Sequence, residues 1–433
     1  LPSEKEWERA ARGGVSSQGY TYSGSNDVNA VAWYDSINGT KAAGTKAANE
    51  LGIYDMSGNV WEWCWDIYDP NPPYRRLRGG GWNITADHCT VAYREISSGP
   101  IDYSDDIGFR LARSTNIVTT LAGSGNASYA DGQAAAASFT NPWGLALDDS
   151  GNVFVTDSNS HRIRKITPNG TVTTLAGSGN AGYADGQGTA ASFNTPAGVA
   201  VDAEGNVYVA DSASNKIRKV TPSGNVTTLA NVFFPTSVAL DGSGNVYVTK
   251  SSHTAGLSEV LKITPNGTVT TLAGSGNYDG PAYADGQGTA ARFNSFLRGL
   301  AVDTSGNIYV ADTNNDRIRK ITPDGTVTTL AGSGNFGYAD GQGTAASFCR
   351  PSGLAVDASG NIYVADQLNH RIRKITPDGT VTTIAGSGNE GSADGQGSTA
   401  SFYRPAGVAL DASGNLYVTD SGNRLVRKIT ISK

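Results

Sequence analysis

Cysteine is nearly missing from this chain: 433 residues contain three, Cys64, Cys89 and Cys349. So sparse and odd a set cannot supply a disulfide framework, and only Cys64 with Cys89 offers a candidate bridge. Histidine is as scarce, with four residues. Of these, His161, His253 and His370 fall in the C-terminal three quarters at unlike positions, which argues against a histidine-built metal centre there. No apolar run approaches the roughly 18 residues that a membrane-spanning helix needs. The formal charge is −6 with a pI near 5.3. No basic run is longer than an R-x-R-K, so no nucleic-acid partner is expected.

What the chain does have is a repeat. Six copies of approximately P-x-G-[VL]-A-[VL]-D-x-x-G-N-[VI]-Y-V-[AT]-D, followed by R-I-R-K-I-T-P-x-G-x-V-T-T-L-A, are anchored at Asp148, Asp202, Asp241, Asp303, Asp357 and Asp411. Each unit holds four short alternating segments separated by turn residues, such as GLALD, NVFVTD, RIRKIT and VTTLAG. Several strands per unit at a period of about 40 to 50 residues indicate a β-propeller with one blade per copy. The first VTTLA, at residue 118, precedes every other repeat element, and the last copy ends at KITISK with none after it. The N-terminal strand is therefore expected to complete the last blade and close a ring of six.

The pattern Y-V-A-D-x-x-N-x-R-I-R-K-I resembles the NHL-repeat family over roughly residues 116–433. The resemblance implies a six-bladed propeller used mainly as a binding platform for proteins, glycans or RNA. It also implies a minority outcome, a lyase or lactonase with a metal in the central channel. Aspartates at 157, 211, 312, 366 and 420 could furnish a lactonase-like calcium site, or could cap the turns that follow their strands. Arg162, Arg317 and Arg371 are expected to pair with Asp157, Asp312 and Asp366, and His161 and His370 to lie on the surface. A Gly-rich insertion typified by GSGNAGYADGQGTAASFNTP at 177–196 recurs in most units, with Phe139, Phe193, Phe293, Phe348 and Phe402 as its expected anchors. We expect an ordered loop on one face, where repeat proteins commonly bind. The third unit lacks it and carries Lys250 in place of the aspartate, which makes the short blade a candidate partner edge.

Residues 1–113 contain no repeat element. LPSEKEWERAARGG reads as a helix whose Ser3 and Glu6 form a capping box, and the rest is rich in Trp, Gly and Asn with little regular structure expected. The motifs LPSEKEWERAARGG, ELGIYDMSGNVWEWCWD, RGGGWN and IGFRLAR resemble the C-terminal part of the formylglycine-generating enzyme and sulfatase-modifying factor family. The resemblance implies a partial C-type-lectin-like α/β domain whose N-terminal portion is missing. Because the sequence starts at Leu1 without a signal segment, we expect a piece of a longer protein, with any anchor upstream.

The sulfatase-activating members of that family bind copper through two cysteines five positions apart. The aligned positions here are Ile84 and Cys89, so the soft ligand pair is broken and no copper is expected. The resemblance also implies a structural Ca²⁺ held by Asp55 and Glu62 with the carbonyls of Gly58 and Val60, a hard-oxygen set suited to that ion. The alternative is a capped turn in which Glu62 only accepts hydrogen bonds. The ligand-facing surface of lectin-like relatives corresponds to the segment from Trp82 to Asp106, and Trp82, Asn83, Thr85, Asp87, His88, Tyr93, Arg94 and Glu95 are the expected contacts.

The fold expected is thus mainly β: an enzyme-like N-terminal domain (1–113) joined by about three residues to a six-bladed propeller (114–433), the two moving as one. The function expected is non-catalytic binding or scaffolding at the surface or exterior of a bacterium, recognising protein or glycan and self-assembling. The alternative is an enzyme, either a metal-dependent propeller or a divergent oxidase.

Overall fold

The computed structural model describes residues 1–2, 4–70, 73–96, 104–110, 116–251, 258–275 and 283–431. Ser3 of the capping box and His253 lie outside these. The chain divides into two compact units, Leu1–Ser114 and Thr115–Lys433.

In the first unit the helix Glu4–Ala11 buries Trp7 and Ala11, one turn apart on the same face. It stops at Gly13, whose φ of +84° suits the left-handed position that ends a helix. The buried helical face packs with Met56, Cys64 and Val91. A four-stranded sheet runs in the order Glu95–Ile96, Pro73–Arg78, Trp61–Pro70, Ile107–Gly108, with only the last pairing parallel. Arg78 is wholly buried. It is neutralised by Glu4 and Glu8 of the helix at 2.8 and 2.9 Å and donates to the Val91 carbonyl at 2.6 Å. Helix and sheet are therefore tied by charge as well as by apolar contact.

The second unit is a ring of six antiparallel sheets. In the first blade the strands run from the axis outward as Pro142–Leu147, Val153–Asp157, Arg162–Ile166 and Thr171–Ala176. Each blade packs one face on its predecessor and the other on its successor: Val153 and Val155 cluster with Tyr417 and Val426 of the sixth blade, Phe154 with Val199 and Val209 of the second. Burial on both faces explains why the second strand of a unit is apolar nearly throughout rather than alternating. Ile117–Ala122 pairs with Leu425–Thr430, so the N-terminal strand closes the sixth blade. The glycine of P-x-G is required because inner strands converge at the axis. A side-chain carbon on Gly144 would lie 2.4 Å from the Ala197 carbonyl oxygen of the next blade, and one on Gly299 only 2.0 Å from that of Ser352.

The insertion is more than a surface loop. Its Gly-Gln pair forms a fifth strand outside five of the six blades, as Gly132–Gln133 does beside Thr171–Ala176. Phe139, Phe193, Phe293, Phe348 and Phe402 are fully buried. The third blade, without the insertion, has four strands.

Candidate functional site

The buried charges of the blades were assigned to the wrong arginine by sequence. Arg162, Arg317 and Arg371 are half-buried over tyrosine rings and donate to backbone carbonyls, Arg162 to Ser160 and Ser178 at 3.0 and 3.2 Å. The second arginine of each R-I-R-K is the buried one. Arg218, Arg319, Arg373 and Arg427 lie 3.0, 2.8, 2.7 and 2.9 Å from Asp211, Asp312, Asp366 and Asp420, and Arg164 lies 3.6 Å from Asp157. The same guanidinium reaches the aspartate of the insertion, as Arg373 does Asp340 at 2.7 Å. Two arginines at i and i+2 share a strand face. The insertion folding over the outer half of the blade decides which of them leaves water.

All five strand-end aspartates are fully buried in these pairs. Their carboxylates also accept backbone N–H groups of the loop before the inner strand, Asp366 from Cys349 at 2.8 Å. They are thus turned away from the axis as structural acceptors rather than gathered into a cation site. His161 and His370 are not simple surface groups either. Each adopts a left-handed turn, φ +54° and +55°. Each Nδ1 accepts a backbone N–H, from Thr195 and Arg404 respectively, at 3.1 Å. Burial lowers both imidazole pKa values, an effect the adjacent Arg162 reinforces at His161.

In the N-terminal unit, Thr85, Asp87, His88, Tyr93 and Glu95 come together. Thr85 Oγ1 bonds Asp87 and lies 3.0 Å from His88 Nδ1, and His88 packs against Tyr93 with ring centroids 4.4 Å apart and the rings tilted by 59°. Tyr93 donates its hydroxyl to Glu95 at 3.2 Å. Burial and the Glu95 charge raise the Tyr93 pKa, and the Thr85 hydrogen bond lowers that of Asp87. Trp82 keeps a buried indole N–H without an acceptor among the described residues, and Asn83 is exposed beside it. Arg94 departs from the group: its guanidinium lies 3.1 Å from Glu4 and 3.4 Å from Glu8 on the helix. The residues between 97 and 103 fall outside the described set.

The two positions expected for a copper pair are neighbours in space. A side-chain carbon on Gly80 would meet Cys89 Sγ at 2.9 Å and Ile84 Cδ1 at 3.0 Å. Isoleucine thus stands where a second thiolate would complete the pair. Burial pushes the Cys89 thiol up to about 12, so it stays protonated. Cys64 and Cys89 are both buried and not bridged to each other.

The residues expected to hold calcium do not fit that ion as arranged. Both oxygens of Glu62 accept from Arg110, at 2.6 to 3.0 Å, and Oε2 also accepts the Trp7 indole N–H at 2.7 Å. The same guanidinium donates to the carbonyls of Tyr54 and Asp55. Asp55 Oδ2 accepts the Gly44 N–H at 2.7 Å, and the Gly58 carbonyl accepts that of Val60 at 3.1 Å. A resident cation, Arg110, already neutralises Glu62.

Sequence reasoning missed the mouth of the propeller channel. Trp143, Arg298, Arg350 and Arg404 line one cavity there with Asn141 and Gln367, of about 380 Å³. Arg350 and Arg404 stand just before the proline of P-x-G, where other units have Asn141, Thr195 and Phe234. That variability at one fixed place in the repeat was the available signal.

Comparison with known proteins agrees with both units. Residues 1–115 match the sulfatase-modifying factor enzyme 1-like domain, and residues 139–166, 193–220, 295–321, 348–375 and 402–429 match the NHL repeat. The third blade, with Lys250, Glu259 and Leu261 in place of the usual charges, is not among the matched repeats. The chaperone protein LppX of Paenibacillus barcinonensis is 40% identical over 140 residues, 26% of this chain and 49% of that protein. The inactive C-alpha-formylglycine-generating enzyme 2 of Mus musculus is 35% identical over 134 residues, 26% of this chain and 42% of that protein. The chain spans less than half the length of these curated relatives. The crystal structure of an auxiliary nutrient binding protein from Bacteroides ovatus superposes with a TM-score of 0.57 at 19% identity, covering 83% of this chain and 84% of that one. At that identity the likeness concerns the fold. Residues 1–115 are therefore a sulfatase-modifying factor enzyme 1-like domain, and the chain continues as an NHL-repeat β-propeller.

Proposed function

We propose that this chain is a non-catalytic binding and scaffold protein, exported to the surface or exterior of a bacterium, where it recognises protein or glycan and associates with copies of itself. The observation that carries the reading is the fate of the repeat aspartates. Asp157, Asp211, Asp312, Asp366 and Asp420 are fully buried against arginine, and no group of three or more His, Cys, Asp or Glu suited to a metal occurs among the described residues. Support in the N-terminal unit comes from Ile84 beside a protonated Cys89. A relative of that unit is named an inactive enzyme and another a chaperone. Export is proposed from the Ser-, Thr-, Asn- and Gly-rich composition. No helix among the described residues is long and apolar enough to cross a membrane.

The test has two arms. Oxygen uptake with a cysteine-containing peptide and hydrolysis of aliphatic lactones are measured on the full chain, and a glycan array and sedimentation analysis read ligand and self-association. Saturable binding without turnover is expected. Turnover above that of heat-denatured protein would overturn the reading.

A further inference from the structure

We propose that the mouth of the propeller channel binds a small organic oxyanion with a flat apolar body, its head on Arg298, Arg350 and Arg404 and its body on Trp143, Phe234 and Phe296. The inference rests on the binding reading above and gives it a ligand class.

Arg298 belongs to the fourth blade, yet its guanidinium lies 4.7 Å from the Trp143 ring centroid of the first blade and 5.1 Å from that of Phe296. First and fourth blades are opposite in a ring of six, so this side chain crosses the channel. It donates to Gln367 Oε1 at 2.7 Å, while its Nε is buried with no acceptor among the described residues. A half-buried guanidinium held by one neutral amide is under-coordinated for its charge. Burial, with Arg350 nearby, lowers its pKa to about 10.

Arg350 and Arg404 add to this charge. Both are exposed, and neither guanidinium makes a hydrogen bond or ion pair among the described residues. Both are held in the left-handed region, φ +50° and +52°, immediately before a proline, a conformation that costs energy and that proline disfavours in its predecessor. Each is fixed there by its own N–H, Arg350 to Asp316 Oδ1 at 2.7 Å and Arg404 to His370 Nδ1 at 3.1 Å. Asp316 is the carboxylate next to Arg350, and it accepts that N–H beneath the rim. No acidic side chain lines the cavity of about 380 Å³ that holds the three arginines. In a chain of formal charge −6, three cations around one acid-free cavity form a focused positive field.

A second cavity, of about 180 Å³, shares Asn141, Trp143 and Arg298 with the first and is lined by Phe234 and Phe296. The two halves together match a ligand with a charged head and an aromatic or aliphatic body. Guanidinium forks suit carboxylate and phosphate alike, and the combined volume is that of a small-molecule pocket.

The test uses the full chain labelled with 5-fluorotryptophan. Trp143 is the only tryptophan after residue 82, so Trp143→Phe identifies its ¹⁹F resonance. The probes are indole-3-acetate, the neutral indole-3-acetamide, inorganic phosphate and a uridine oligonucleotide. The expected result is a saturable shift of the Trp143 resonance by indole-3-acetate at about millimolar concentration or below, with the amide and phosphate each weaker by about tenfold or more. Arg350→Gln and Arg404→Gln, both exposed, should each weaken the carboxylate by about tenfold without changing the melting temperature. Equal binding of acid and amide, or an undiminished shift in both variants, would overturn the proposal. So would phosphate matching the carboxylate, a response to the oligonucleotide alone, or no shift by any probe. A glycan or protein ligand found in the previous test beside a silent Trp143 sinks this inference and leaves the binding reading standing. Enzymatic turnover sinks the binding reading whatever the resonance does.

Discussion

Asp366 and Arg373 are fully buried and 2.7 Å apart in the fifth blade, and the third blade shows what happens when their setting is lost. There the insertion is missing, Leu261 replaces the arginine, and Lys250 in place of the aspartate pairs instead with Glu259. Arginine, strand-end aspartate and insertion aspartate are thus one device, kept or discarded together.

Removing part of that device should cost more than its absence. Arg373→Leu in the fifth blade would leave Asp366 buried without its cation and Asp340 without its anchor. We expect a loss of about 3–5 kcal/mol in chemical denaturation, the cost of breaking a buried pair from one side. Asp340 is 41% exposed, so Asp340→Ala should cost less, about 1–2 kcal/mol. Equal losses for the two variants would contradict the coupling.

Acid titration should expose the same burial. Desolvation pushes Asp211, Asp366 and Asp420 up to about 6, against the pull of their hydrogen bonds and arginines. Unfolded aspartate titrates near 3.9, so between about pH 4 and 6 the folded chain holds more protons and stability falls as pH rises. Asp241, Asp303 and Asp357 have the opposite sign. Burial works to raise them, but hydrogen bonds from Asn245, Asn307 and Asn361 and the following tyrosines outweigh it and leave them lowered. Their stabilisation is present above the unfolded value and lost as pH falls through about 4 and below. The melting temperature should therefore peak near pH 4, where the first contribution is still present and the second not yet lost. A profile rising steadily to pH 7 would show that the buried aspartates stay ionised throughout.

The repeat made the blades, their strands, the closing strand and the buried phenylalanines legible, because each follows from alternation, turn chemistry or the position of VTTLA. Arg162 against Arg164 was not legible. Both lie on one face at a spacing of two, and only the insertion, arriving from 33 residues earlier at Asp131, selects the inner one. The channel mouth was hidden for another reason: Trp143, Arg298, Arg350 and Arg404 meet only when the ring closes. In the N-terminal unit, Thr85, Asp87, His88, Tyr93 and Glu95, named from the resemblance to lectin-like relatives, are neighbours in space. Arg94 is drawn off by Glu4 and Glu8, some 90 residues away in sequence.

Closure of the ring rests on the N-terminal strand. Thr120 donates its backbone N–H to Asp394 Oδ2 at 3.0 Å and sits opposite Arg427. Thr120→Pro removes that donor within a paired strand, for an expected loss of about 3 kcal/mol. Hydrogen exchange should show the sixth blade deprotected first, since an unlatched ring leaves an open edge there. Uniform deprotection of all blades would mean that closure is not the local fastening point.

Calcium dependence is decided at Glu62. Arg110 already binds both of its oxygens, and a divalent cation at the same carboxylate would have to displace a guanidinium that also holds the Tyr54 and Asp55 carbonyls. Chelator or added calcium should leave the melting temperature of the wild-type chain unchanged within about 1 °C. Arg110→Ala should lower stability by about 2–3 kcal/mol, because Glu62 is only 6% exposed and among the described residues keeps just the Trp7 N–H. Calcium should then restore part of the loss in that variant alone, since the vacated carboxylate and carbonyls form the hard-oxygen set that the wild-type protein neutralises with arginine. A wild-type melting temperature that falls on chelation would instead mean that Arg110 gives way to the ion.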